Sequence, residues 1–295
     1  MTPYRGRFAP SPTGRLHFGS LVAALGSWLA ARAAGGRWIV RMEDIDRARE
    51  VPGAADDILR TLAAFGLDSD EPVLRQSERE PVYAAALHQL AGAGHAYRCW
   101  CSRSDLEPFG GIHPATCVAR ESARAPAWRL HVGDAVIGFD DAIQGHCTQA
   151  LAREVGDFVI WRVEGGCAYQ LAVVVDDAAQ GITDVVRGAD LLDSTPRQIL
   201  LQRLLGLPQP RYAHLPLALG ADGRKLSKHE AALPVDGADP LPALRAALRF
   251  LGQPVPDAGE TARLLALAAR AFDLARIPRN ATAPTPFAAL RKETC

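Results

Sequence analysis

Between residues 4 and 42 the chain alternates in a way that few folds accommodate. Tyr4 to Ala9 reads as a short strand and ends in Pro10-Ser11-Pro12-Thr13-Gly14, which can only be a loop. An Ala- and Leu-rich stretch at 16–34 then stops at Gly35-Gly36, and Trp38-Ile-Val-Arg-Met at 38–42 reads as a buried strand. Strand, loop, helix and strand in that order describe two parallel strands joined by a crossover helix, since a tight turn cannot close a parallel pair. Helical patterns at 52–66 and 79–93 continue the alternation. The expectation is an α/β fold built on a parallel sheet.

The rhythm lapses at about 94–135, which reads as an insertion. It returns with strand signals at 157–163, 168–175 and 184–187 and a helix at 194–205. Ala221-Asp222-Gly223 marks a tight turn. From 239 onward two helical stretches, 241–251 and 260–274, lead into a Pro-rich tail. The layout is a Rossmann-like parallel sheet with crossover helices, an insertion and a small C-terminal helical region, divided at 1–230 and 231–295.

With 295 residues, 48% hydrophobic and 22% charged, the composition is that of a globular protein with one large domain and a small appendage. No apolar run reaches the length of a membrane span, and the first residues lack the apolar stretch of a signal peptide. The expectation is a cytoplasmic protein with no membrane partner; nothing points to a dimer interface, so a monomer is expected. The formal net charge is zero. A nucleic-acid partner would therefore need a local arginine patch.

Of the 33 basic residues only three are lysines, and two of them, Lys225 and Lys228, stand three apart in Gly-Arg-Lys-Leu-Ser-Lys. Where arginine has taken over the generic positive positions, a retained lysine suits a task that wants a compact charge on a flexible stem. Phosphate neutralisation is one such task; chance placement in a loop is the other reading. The loop that feeds the first helix presents unpaired backbone N–H groups and the positive end of a helix dipole, which also suits a phosphate. His17 could donate there, and Gly19 would let a flat ring approach the backbone. A well-capped helix with an exposed histidine fits the same residues.

Six cysteines in a chain of this size do not make a disulfide scaffold. Cys99, Cys101 and Cys117 crowd into 19 residues together with His113. Three sulfurs and one imidazole suit tetrahedral Zn²⁺, and buried thiols beside a surface histidine are the alternative. Cys147, Cys167 and Cys295 are scattered and read as small buried thiols.

Arg7-Phe8-Ala9-Pro10-Ser11-Pro12-Thr13-Gly14 with His17-Phe18-Gly19-Ser20, and Lys225-Leu226-Ser227-Lys228, resemble the two signatures of class I aminoacyl-tRNA synthetases, the glutamyl branch above all. Three further stretches resemble the same branch: Arg41 to Asp46, Tyr169 to Asp177, and Val186 to Asp190 continuing through Thr195-Pro196-Arg197-Gln198. The likeness stops where a full glutamyl-tRNA synthetase would continue for roughly another 170–200 residues, a whole anticodon-binding region by size. Shorter chains of this kind are similar to glutamyl-queuosine tRNA(Asp) synthetases. Those ligases attach glutamate to a modified base in the anticodon of tRNA(Asp).

The resemblance implies L-glutamate, ATP with Mg²⁺ and queuosine-bearing tRNA(Asp) as partners. His17, Lys225 and Lys228 would serve catalysis; His17, Gly19, Ser20 and Lys228 would meet ATP. Arg7, Ala9, Ser11, Glu43, Tyr169 and Arg187 would hold glutamate, Glu43 at the amino group and the two arginine forks at the side-chain carboxylate. Taken singly, each of these is an ordinary ion pair or core tyrosine. Cys99, Cys101, His113 and Cys117 match the family's zinc pattern, in which tyrosine usually stands where this chain has His113. Two departures stand out: Ala178 replaces a common histidine after Asp176-Asp177, and His229 follows the second signature. Three rivals remain at this point: a short glutamyl-tRNA synthetase charging a terminal adenosine, a non-catalytic binder of tRNA or glutamate, and a nucleotidyltransferase of the same fold.

Overall fold

A computed structural model describes residues 2–218 and 235–279. Its strands are β1 (Arg5–Phe8), β2 (Arg37–Met42), β3 (Leu74–Arg75), β4 (Ala96–Cys99), β5 (Ala127–Leu130), β6 (Val136–Asp141), β7 (Gly145–Ala150), β8 (Phe158–Trp161), β9 (Asp184–Gly188) and β10 (Arg211–Leu215). The helices are α1 (Phe18–Ala33), α2 (Ala54–Ala64), α3 (Glu80–Gly92), α4 (Arg103–Leu106), α5 (Leu151–Glu154), α6 (Tyr169–Ala179), α7 (Thr195–Leu205), α8 (Pro240–Phe250) and α9 (Thr261–Ala271).

Seven strands form the main sheet in the order β3-β2-β1-β9-β10-β6-β7. All its pairs are parallel except the β6–β7 hairpin at one edge. Helices cover both faces, so two apolar cores form. One joins α1 to α2, α8 and α9; the other packs α3, α6 and α7 against the opposite face. This is the doubly wound α/β arrangement that the early alternation requires. The helix expected at 16–34 and the strand at 38–42 are α1 and β2 to within three residues at each end.

α1 lies close to the sheet because Gly26 allows it: a Cβ there would stand 2.8 Å from Leu215 Cδ1 on β10. Trp38 of β2 locks the same helix from below, donating to Ser27 Oγ at 2.9 Å and stacking on Phe8 at 6.4 Å between centroids. α8 closes over the helix start, where Phe250 meets Phe18 edge-on at 6.0 Å.

The structure corrects the reading at one element. Residues 168–175 were expected as a strand, and the segment is α6. Val173, Val174 and Val175 are 1–8% exposed, between the sheet and α3 and α7. A helix buried on nearly every side shows a continuous apolar run, which period alone cannot separate from a strand. Gln170, Asp176, Asp177 and Gln180 carry the helical spacing. β6, β7 and β10 are strands that the sequence expectations do not include.

The irregular stretch at 94–135 supplies β4 and β5 of a separate three-stranded antiparallel sheet, completed by β8. This small sheet carries the cysteine cluster. Cys167 is buried as expected, Cys147 is only half-buried, and Cys295 lies outside the described residues.

Candidate active site

β1 connects outward to β2 on one side, while β9 and β10 lie on its other side. At that switch point the loops after β1 and β9 diverge and leave a crevice at the carboxyl ends of the strands, where ligands of such sheets bind. A cavity of about 340 Å³ lies there. Arg7, Ala9, Ser11, His17, Gly19, Ser20, Glu43, Tyr169 and Arg187 all line it. Residues drawn from four separate stretches of sequence thus meet in one cleft. Lys225 and Lys228, with the turn at 221–223 and His229, lie outside the described residues.

His17 is the N-cap of α1. Its Nδ1 accepts from the Ser20 N–H at 3.2 Å, and its Nε2 stands 3.0 Å from Ser20 Oγ. A neutral ring that accepts at Nδ1 keeps its proton on Nε2, so the donor function expected of His17 sits on that nitrogen. Gly19 leaves room for this imidazole: a Cβ there would lie 3.2 Å from His17 Cε1.

Beneath the cleft runs a buried charge network. Asp177 accepts from Arg7 Nε and Nη2 at 3.2 and 3.4 Å and from Arg41 Nη2 at 2.8 Å. Arg41 also reaches Gln180 at 2.8 Å and Glu43 at 3.5 Å. Asp176 collects Gln76, Arg79 and Tyr83 at 2.7–2.8 Å. One edge of the Arg7 fork is therefore committed to Asp177, leaving Arg7 less of its fork for a ligand than expected. Burial pushes the Glu43 carboxyl up to about 6, against the pull of Arg41 and Arg7. Burial also acts on Asp177, but the Arg7 and Arg41 charges outweigh it and hold that carboxyl below its usual range. Tyr169, at the first turn of α6, is raised by burial, while the Arg187 charge pulls it the other way.

Arg187 is 4% exposed. Its Nε donates to His214 Nε2 at 3.0 Å and its Nη2 to Thr195 Oγ1 at 2.8 Å and the Leu191 carbonyl at 3.3 Å. Its Nη1 is buried with no hydrogen-bond partner among the described residues. A buried guanidinium nitrogen left unpaired costs stability unless something fills its place. His214 in turn holds Asp141 at 2.6 Å. Burial keeps its imidazole below the ordinary pKa range despite that carboxylate. Burial opposes the ionisation of Asp141 as well, yet the His214 and Gln144 bonds bring it down to about 2.

Arg41, Asp177, Thr195, His214 and Asp141 were given no role from sequence. The available signal was a charged or polar residue inside an apolar run, as in Trp-Ile-Val-Arg-Met and Val-Val-Val-Asp-Asp. Such groups persist in a core only when they are paired.

In the small sheet, ligand atoms of Cys99, Cys101, His113 and Cys117 all lie within 4.8 Å of one another. Cys99 Sγ stands 3.3 Å from His113 Nε2 and 3.5 Å from Cys117 Sγ, and Cys101 Sγ lies 3.3 Å from Cys117 Sγ. A tetrahedron of about 2.3 Å Zn–S bonds has edges of about 3.8 Å, so these four atoms need move little to hold a metal ion. The Cys101 N–H points at Cys99 Sγ and the Ala119 N–H at Cys101 Sγ, each at 3.4 Å, as suits thiolates. Arg129 Nε donates to Cys99 Sγ at 3.2 Å. Tyr97 OH donates to Asp157 at 2.7 Å and lies 3.3 Å from His113 Nδ1.

The fold, with its cleft between β1 and β9, a helix start on one wall and paired charges beneath, defines a class I aminoacyl-tRNA synthetase catalytic domain. Residues 4–115 and 124–264 match the family described as tRNA synthetases class I (E and Q), catalytic domain, and the chain belongs to this family of ligases. It is 61% identical over 284 residues to the Glutamyl-Q tRNA(Asp) synthetase of Xanthomonas campestris pv. campestris (strain 8004), covering 95% of each chain. It is 55% identical over 287 residues to the protein of that name from Ectopseudomonas mendocina (strain ymp), covering 95% of this chain and 97% of that one. Among solved structures, a glutamate tRNA ligase from Elizabethkingia meningosepticum CCUG26117 superposes with a TM-score of 0.82 at 25% identity, covering 98% of this chain and 68% of that one.

Proposed function

We propose that the chain activates L-glutamate with ATP and Mg²⁺ and transfers the glutamyl group to queuosine in the anticodon of tRNA(Asp). The observation that carries this reading is the pairing of opposite charges in one cleft: Glu43 and Arg187 both line it, and Arg187 keeps a buried nitrogen without a partner. An amino acid with a second carboxylate needs an anion for its ammonium and a guanidinium for its side chain. The names of the relatives point to the same substrate class.

In this reading Glu43 takes the ammonium, Arg187 and the remaining edge of Arg7 take the side-chain carboxylate, and Tyr169 adds a donor. Ala9 and Ser11 shape the pocket beside them. The α-carboxylate oxygen attacks the α-phosphorus of ATP, a new P–O bond forms, and the bond to the β-phosphate oxygen breaks to release pyrophosphate. The protein's part is to position the reactants and neutralise charge. His17 Nε2 and the start of α1, with Gly19 and Ser20, face the phosphates from one wall. Lys225 and Lys228, outside the described residues, would supply the further positive charge that the phosphates need. The catalytic unit is taken as 1–230, with 231–295 as a helical appendage whose α8 and α9 seal α1.

A second cavity of about 750 Å³ lies next to the first and shares Arg49 with it. Arg47, Arg49, Arg103 and Arg162 line it, between the loop after β2 and the small sheet. Asp46, Glu80 and Glu164 line it too, and Asp46 pairs with Arg49 at 2.6 Å, so the lining is mixed with a small arginine excess; this is where the modified base would enter. Among the described residues no helix is long and apolar enough to cross a membrane.

The four-residue cluster would hold a structural Zn²⁺, which supplies the small sheet with a cross-link in place of a large core. A competing reading, a synthetase charging the 3′ end, draws on the structural likeness to glutamate tRNA ligases. ATP–pyrophosphate exchange tests the activation step: exchange that requires glutamate is expected without tRNA, and exchange absent with every amino acid would end the reading.

A further inference from the structure

Arg187 of β9 and His214 of β10 are directly paired in the parallel register, so their side chains rise from the same face of the sheet. Asp141 ends β6 on the next strand over, where Tyr212 is its partner. Three neighbouring strands thus present Asp141, His214 and Arg187 in a row, each no more than 4% exposed.

The row has a defined proton order. A guanidinium only donates, so His214 Nε2 must accept from Arg187 Nε. The imidazole proton is then on Nδ1, where it donates to Asp141 Oδ2. Asp141 is fixed in turn by the backbone N–H groups of Ile143, Gln144 and His214. On the other edge, Nη2 is held by Thr195 Oγ1 and the Leu191 carbonyl. Of the five N–H groups on the fork, three are assigned and the two on Nη1 are not.

We propose that His214, backed by Asp141, is a positioning residue that sets the Arg187 fork so that Nη1 receives the side-chain carboxylate of the substrate. The inference rests on the reading of the cleft as a glutamate site. His214 does not touch substrate; it selects the face that Arg187 presents, with Thr195 as the second strut. A neutral acceptor is needed at this place, since a second donor facing Arg187 would turn the fork away.

The test is glutamate-dependent ATP–pyrophosphate exchange by the full chain, with Michaelis constants measured separately for glutamate and ATP. In His214→Asn the shorter amide still reaches Asp141 and loses Arg187. In His214→Gln the amide oxygen reaches Arg187 Nε. The Asn variant and the isosteric Thr195→Val should raise KM for glutamate about 10- to 100-fold, with KM for ATP within about twofold. The Gln variant should recover most of the loss. A glutamate KM unchanged in His214→Asn, a parallel rise for both substrates, or Gln no better than Asn would overturn the proposal. Should the Asn variant fail to fold, Thr195→Val decides by the same split. No glutamate-dependent exchange in the wild type would strike the reading of the cleft instead.

Discussion

Asp177 accepts hydrogen bonds from Arg41 at 2.8 Å and from Arg7 at 3.2 Å, and both arginines are at most 3% exposed. One carboxylate on α6 thereby ties together β1, which borders the cleft, and β2, which leads into Glu43 on its wall. Asp177→Asn removes the charge while keeping the shape. Leaving two buried guanidinium groups short of a counter-ion should cost on the order of 3–5 kcal/mol, read as a lower urea midpoint. A loss under about 1 kcal/mol would contradict the pairing.

Glu43 and Asp177 respond to pH with opposite signs. The Glu43 carboxyl is raised from 4.5 to about 6, so the folded state holds its proton more tightly than the unfolded chain. Between those values stability falls as pH rises, by about 2 kcal/mol in all from this group. Asp177 is depressed, so its contribution is present above the ordinary carboxylate range and is lost as pH falls through its lowered folded value. Only ionised Glu43 attracts an ammonium. The KM for glutamate should therefore climb as pH drops below about 6. Glu43→Gln should flatten that rise while leaving the protein at least as stable near neutrality, and a pH profile of exchange unaltered by the substitution would remove Glu43 from the ammonium site.

Gly19→Ala separates stability from function. Alanine is the better helix former by about 1 kcal/mol, so the melting temperature should hold or increase. Its Cβ would sit 3.2 Å from His17 Cε1 and 3.3 Å from Nδ1, so the imidazole must shift against its bond to the Ser20 N–H. The expected result is a KM for ATP raised about 3- to 10-fold in the exchange assay, the size of one weakened hydrogen bond. An unchanged ATP constant would mean that His17 does not face the nucleotide.

At the cysteine cluster, the Tyr97 hydroxyl gives its proton to Asp157, so its oxygen is left to accept from His113 Nδ1 and the Nε2 lone pair faces the sulfurs. Groups that fix a metal-bound histidine in this way are typically worth 10–100-fold in affinity. Tyr97→Phe should weaken Zn²⁺ by about tenfold in chelator competition and alter the absorption bands of the Co²⁺-substituted protein. Zinc content near one per chain is expected for the wild type, and it should be lost in Cys99→Ser and Cys117→Ser. Stoichiometry that those two changes leave intact would place the metal elsewhere.

The parts of this molecule legible in its sequence are those set by local pattern. The Pro- and Gly-rich loop and the long Ala/Leu stretch announce β1, α1 and β2 because turn chemistry and helical period act over a few residues. The four metal-type ligands were visible for the same reason. α6 was misread because deep burial erases the polar face that gives a helix its period. The β6–β7 hairpin and β10 went unread, and with them Asp141 and His214, whose part depends on strand register across 73 residues of chain. Arg7 was legible as a cleft residue but not its commitment to Asp177, which becomes a neighbour only once α6 packs behind the sheet. Pairings between distant charges are decided by topology, and no window along the chain contains both partners.

The central claim is that this cleft delivers glutamate to one modified base. Intact tRNA(Asp), with and without queuosine, can be incubated with the protein, ATP, Mg²⁺ and glutamate, and then weighed and mapped by nuclease digestion and mass spectrometry. The account predicts a gain of one glutamyl residue on the anticodon fragment of queuosine-bearing tRNA alone. Glutamate found at the 3′ terminus, or added equally to tRNA lacking queuosine, would contradict it.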